Sequence, residues 1–190
     1  HPSPVPHADI VTSTTHKTLR GPRGALALMK KSFEKKFNSA VFPNMQGGPM
    51  QNSIAAKAVA FKEAMSDEFK NYSFQIIKNS KFLSKILSEN GLRIVAGGTD
   101  THMILVDTKA IGLTGSSAES ALLSSGIVVN KNSIPFDNES PMVTSGIRIG
   151  TAALTSRNMR EKDMETVSEF ILESLKNYNN PKLLKSIKDK

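Results

Sequence analysis

The densest chemistry in the sequence is the string TSTTHKTLRGPRG at residues 12–24. The hydroxyls of Thr12, Ser13, Thr14 and Thr15 lead into His16 and Lys17, and Thr18, Arg20 and Arg23 follow around a Gly-Pro turn. A lysine after a strand is ordinarily solvated surface. Its company argues otherwise here: Arg20 and Arg23 lie within six residues of Lys17, and clustered cations favour a neutral amine. A neutral amine is the nucleophile that forms imines with carbonyl compounds. The hydroxyls of Thr14, Thr15 and Thr18 can donate to a phosphate or hold the amine. Taken by themselves, the residues suggest this chemistry without assigning it.

Two further places carry chemical potential. Gly47-Gly48 sits between Pro43 and Pro49; it reads as a plain turn, or as backbone able to approach an anion closely. Arg148 lies in GIRIG, apolar on both sides, and reads as a buried strand arginine in need of a partner. That partner is either a structural acid or a carboxylate ligand, since a guanidinium can pair with a carboxylate at two points. His102 and Asp107 are five apart in a strand pattern, so they point to opposite faces, and no metal site is expected.

The elements that must position these groups belong to an ordinary soluble composition, with 38% hydrophobic and 22% charged residues among 190. No apolar run is long enough to span a bilayer. The sequence contains no cysteine, which excludes disulfides and thiolate chemistry and fits a reducing, cytoplasmic compartment. The net charge of +8 is uneven: residues 1–65 hold nine Lys and Arg against three acids, and residues 66–190 hold sixteen against fourteen. A solvated basic face and an anion site both explain this. Nucleic acid is not expected, because there is no Trp, there are two Tyr, and no known module is present.

HPSPVPH at the start reads as an extended connector. Residues 9–15 read as a strand, 16–24 as a loop, 25–29 as a short buried strand, 31–37 as a basic turn and 42–50 as a loop. Helices are expected over 51–65, 67–89, about 116–124 and about 160–177, the second stopped by Asn90-Gly91. Strands are expected at 92–95, 102–107, 127–129 and 146–149, with a basic tail after Pro181. The boundary near residues 62–68 separates a first part with too few strands to close a core from an α+β unit large enough to fold alone.

At this point the motifs resemble a known family. TSTTHKTLRGPRG is similar to the cofactor-lysine segment of serine hydroxymethyltransferase, a pyridoxal-phosphate enzyme of the aspartate-aminotransferase fold. HPSPVPHADIV before it, SAVFPNMQGGP at 39–49, GGTDTHMILVD at 97–107, NKNSIP at 130–135 and SPMVTSGIRIGTAALTSR at 140–157 match family motifs in the family's order. The resemblance implies that residues 1–65 end a large cofactor-binding α/β domain and that 66–190 form a small α+β C-terminal domain. It implies that Lys17 holds pyridoxal 5'-phosphate covalently, with His16 beside it at the phosphate end, Thr14 near the imine and Arg23 in the cofactor loop. Gly47 and Gly48 would reach the cofactor phosphate of the neighbouring subunit in a homodimer. Arg148 would bind the carboxylate of serine or glycine, and Asn132, Ser140, Pro141 and Met142 would contact tetrahydrofolate.

The reaction implied is reversible transfer of a one-carbon unit from L-serine to tetrahydrofolate, giving glycine and 5,10-methylenetetrahydrofolate. The chain departs from the family pattern at Ala25, Asn52 and Ala152, where Gly, His and Pro are usual. The resemblance covers roughly the C-terminal half of such an enzyme, and residue 1 is His. The expectation is therefore a fragment that is inactive alone and binds cofactor weakly at best. Two other readings stand beside it. One is a threonine aldolase-like enzyme with the same cofactor, against which NKNSIP speaks. The other is a noncatalytic domain that uses its basic face for binding.

Overall fold

Ile10–Thr14 (β1) and Ala25–Met29 (β2) form an antiparallel ribbon whose register runs from Ile10 opposite Met29 to Thr14 opposite Ala25. The β-branched run of β1 favours extended backbone. In the computed structural model, which describes residues 3–190, this ribbon belongs to the first of two compact units, His1–Asn71 and Tyr72–Lys190. The expected burial of residues 25–29 is not found: Leu28 is 50% exposed. Two strands have no second layer of their own to cover both faces.

The N-terminal segment also differs from its expectation. Val5–His7 form a 3-10 turn entered from a helical Pro4, while His1 and Pro2 lie outside the described residues. After β2 come a 3-10 turn at Lys31–Phe33 and the short helix Glu34–Ser39 (α1). A wide turn, Ala40–Met45, follows, interrupted by extended backbone at Phe42.

Gln51–Ala64 (α2) is mostly exposed and buries only Ala60. Asp67–Glu89 (α3) starts where Ser66 Oγ accepts a hydrogen bond from the Phe69 amide at 3.2 Å. Two acids in its first turn suit the positive end of the helix dipole. It stops at Gly91, whose φ of +90° a residue with a side chain would adopt only with strain.

The second unit is built on a four-stranded antiparallel sheet. Its strands are Arg93–Ile94 (β3), Met103–Asp107 (β4), Asn130–Asn132 (β5) and Gly146–Gly150 (β6), in the order β3-β4-β6-β5. The strand expected at 127–129 lies at Asn130–Asn132 instead, because its partners are Gly146 to Arg148 on β6. Ile104, Val106, Ile147 and Ile149 turn one face inward. Against that core pack Leu83 and Leu87 of α3, Leu122 of Gly115–Ser124 (α4), and Met164 and Ile171 of Glu161–Lys176 (α6).

Leu83 and Leu87 lie four apart and Met164 and Ile171 seven apart, spacings that put one face of each helix on the core. Ala152–Ser156 (α5) and Pro181–Lys188 (α7) were not expected as helices. The basic tail folds because Leu184 and Ile187 are buried and Asn180 caps the helix, its side chain accepting from the Leu183 amide at 3.2 Å.

Candidate functional site

In the first unit the site is built around Thr15. It is fully buried at the end of β1, and its hydroxyl donates to Pro22 O at 2.6 Å. Its amide donates to Gly24 O at 3.0 Å, and its own carbonyl accepts from the Gly21 amide at 2.7 Å. The Arg20 amide closes a turn on Lys17 O at 2.9 Å. Three residues of the loop are thus tied to one threonine, and the segment between them, carrying Lys17, must bow outward. Lys17 is exposed, and no ion pair among the described residues involves it.

His16 folds back on the loop, its Nδ1 lying 3.2 Å from Gly24 O and 3.3 Å from Gly24 N. One tautomer donates to the carbonyl and the other accepts from the amide. Arg20 adopts φ +60°, a left-handed conformation that costs a residue with a side chain free energy. Thr14 is half-buried at the last rung of the ribbon, and Arg23 is exposed.

The loop rests on α2. A Cβ at Gly21 would come within 2.7 Å of Thr15 O and 3.3 Å of the Ala60 side chain. Glycine there permits the close approach. Gly24 leaves room for Lys57, whose Nζ crosses to donate to Ala25 O at 2.9 Å. No acid occurs between Asp9 and Glu34. Asp9 is engaged by Lys30 at 2.5 Å.

This donor set, a primary amine with no ion pair among the described residues, set among hydroxyls and cations with no carboxylate in the stretch, fits a carbonyl compound that carries an anionic group. Gly47 and Gly48 lie elsewhere in the first unit. A Cβ at either would meet open space, so no neighbour among the described residues requires glycine there.

In the second unit Arg148 is exposed, not buried as its apolar neighbours implied. It sits on the open face of the sheet, opposite Leu105 on β4 and Asn130 on β5, while Ile147 and Ile149 take the core face. Antiparallel sheets commonly leave one face to water. No structural acid pairs with it among the described residues. His102, just before β4, has its pKa pushed down, first by burial and second by the positive charge of Arg148.

Asn132, at the end of the edge strand β5, donates through Nδ2 to Ser133 O at 2.7 Å. The loop from 133 to 145 carries exposed Ser140, Pro141 and Met142. Ser140 O accepts from the amides of Val143 and Thr144.

Sequence reasoning missed the residue that shapes this loop. Asp137 accepts from the Ser145 hydroxyl at 2.6 Å and from the amides of Ile134, Glu139 and Ser145. These bonds, that from the Ser145 hydroxyl foremost, hold its carboxyl far below the usual range. The far end of the loop is pinned by α4, whose Gly115 and Ser116 amides donate to Thr144 O and Val143 O at 2.9 Å. These are the orphan donors of a helix start. The available signal was FDNES, a turn string with Asp137 and Asn138, residue types whose side chains bond nearby backbone.

Among the described residues no group of three or more His, Asp or Glu is placed to hold a metal ion, and no helix is long and apolar enough to cross a membrane. The second unit is a helix-backed antiparallel sheet with a guanidinium on its open face, and the first presents an amine on a cation-rich loop. That is an α/β chain with an exposed amine in one unit and an exposed guanidinium in the other. The chain belongs to the serine hydroxymethyltransferase family, whose model matches residues 1–171. It is 56% identical over 177 residues to the serine hydroxymethyltransferase of Variovorax paradoxus (strain S110). That match covers 93% of this chain and 43% of the relative, so the chain spans less than half the relative's length.

Proposed function

We propose that this chain supplies the lysine-bearing part of a serine hydroxymethyltransferase active site. The reaction is the reversible transfer of a one-carbon unit from L-serine to tetrahydrofolate, with glycine and 5,10-methylenetetrahydrofolate as products. The observation that carries the reading is Lys17, exposed and without an ion pair among the described residues, on a loop fastened at Thr15 in a stretch free of acids from residue 10 to 33. Family membership supports it.

In this reading Lys17 holds pyridoxal 5'-phosphate through its amine, with Thr14 near it. His16 and Arg23 face the cofactor's anionic side, and Gly47 and Gly48 offer backbone amides to a phosphate in the partner subunit of a cytoplasmic homodimer. The cofactor, when bound, supplies an electron sink for the carbanion-like glycine species. Arg148 holds the substrate carboxylate on the open sheet face, and Asn132, Ser140, Pro141 and Met142 contact tetrahydrofolate. Residues 1–65 end the large cofactor-binding domain of the aspartate-aminotransferase fold, and 66–190 form the small C-terminal domain.

The test is to co-express this chain with the portion of the Variovorax relative outside the matched region and to assay serine cleavage. Activity that requires tetrahydrofolate and disappears in Lys17→Ala is expected. Cleavage of threonine without tetrahydrofolate would instead favour the aldolase. Salt-sensitive retention on RNA together with no turnover would favour the basic binding domain.

A further inference from the structure

We propose that Lys57 is a positioning residue for Lys17. α2 meets the Lys17 loop through two residues one turn apart, Ala60 under Gly21 and Lys57 across Gly24. Residues three apart on a helix share a face, so both contacts come from one side of α2. Ala60 is the one residue of α2 that is buried, and the rest of the helix is largely exposed.

Lys57 Nζ donates at 2.9 Å to the carbonyl of Ala25, the residue opposite Thr14 on the last rung of the ribbon. That rung immediately precedes Thr15, which carries three of the loop's hydrogen bonds. Gly24, one residue before Ala25, accepts from the Thr15 amide at 3.0 Å. Lys57 thus holds the returning strand where it closes the loop, and a cation donating to a carbonyl makes a stronger bond than a neutral donor. Removing it takes this donor from Ala25 O and the covering side chain from Gly24, so the loop loses a hold on α2 and Lys17 loses its fixed presentation. The functional consequence rests on the reading of Lys17 given above; the clamp itself does not.

The experiment compares the full chain with Lys57→Met and Lys57→Arg by two measurements. The first is hydrogen exchange at the Thr15 and Gly21 amides. The second is the share of pyridoxal 5'-phosphate trapped on Lys17 by borohydride, relative to all other lysines. In Lys57→Met, exchange at both amides rises about five- to tenfold and the Lys17 share falls severalfold, with the melting temperature unmoved. Lys57→Arg keeps both near wild type, because a guanidinium can make the same donation.

Unchanged exchange and an unchanged Lys17 share in Lys57→Met overturn the proposal, as does an arginine variant that behaves like the methionine one. If the wild-type chain shows no preference for Lys17, the cofactor reading fails. The exchange arm still decides whether Lys57 holds the loop.

Discussion

The Asp137 carboxylate accepts a 2.6 Å hydrogen bond from the Ser145 hydroxyl, joining the two ends of the loop that presents Ser140, Pro141 and Met142. Three backbone amides converge on the same carboxylate. Its ionised form is therefore favoured in the folded chain, and its pKa lies far below the ordinary value of 3.8. A depressed carboxyl contributes stability that is complete above the unfolded value and lost as pH falls toward the folded one. Asp137→Asn lowers the urea midpoint at pH 7. The gap between mutant and wild type narrows as pH drops below about 4. Paired urea titrations across pH 2–7 check this, and a gap that does not change with pH contradicts it.

His102 gives a pH dependence of the same sign in a higher pH window. Burial and the Arg148 charge lower its folded pKa from 6.5, so the unfolded chain binds its proton first. Stability is unaffected by this group above about pH 6.5, falls as pH drops below that value, and levels off beneath the folded pKa. Arg148→Gln removes the second cause and moves the His102 midpoint upward. Following the His102 ring signals by NMR in both proteins reads the shift directly.

Glycines in the two units respond differently to alanine. A Cβ at Gly115 would overlap Thr144 Oγ1 and Gly146 O, so Gly115→Ala destabilises by about 1–3 kcal/mol through overpacking. Gly47→Ala meets open space and leaves the chain's stability within about 0.5 kcal/mol. Thermal unfolding of the two variants distinguishes them. A functional defect in Gly47→Ala without a stability defect is the outcome expected if that segment serves an anion outside this chain.

Among the described residues no acid pairs with Arg148 on its exposed sheet face, so its removal breaks no ion pair there. In the co-expressed enzyme, Arg148→Ala lowers kcat/KM for serine about 100-fold or more, and Arg148→Lys recovers only part of the loss. Steady-state kinetics with both variants test the assignment, with unfolding midpoints as the control.

Much of this was legible in the sequence, for reasons that differ by element. The boundaries of α3 followed from an apolar stripe at helical spacing between Ser66 and Gly91, and β1 and β2 from β-branched and apolar runs around a Gly-Pro turn. The burial of Arg148 was misjudged because apolar neighbours in a strand occupy the opposite face. Alternation in GIRIG places Ile147 and Ile149 inward and Arg148 outward. Residues 181–188 were missed as a helix because three lysines masked Leu184 and Ile187. Lys57 and Asp137 act through backbone atoms far away in sequence or in a turn, and no periodicity marks such contacts.

The measurement that bears most directly on the central claim is borohydride trapping of pyridoxal 5'-phosphate on the intact chain, followed by peptide mapping. The account predicts pyridoxyl label concentrated on Lys17 and lost from that peptide in Lys17→Ala, with no compensating gain elsewhere. Label spread evenly over the exposed lysines, with Lys17 no more reactive than Lys35 or Lys62, would contradict it.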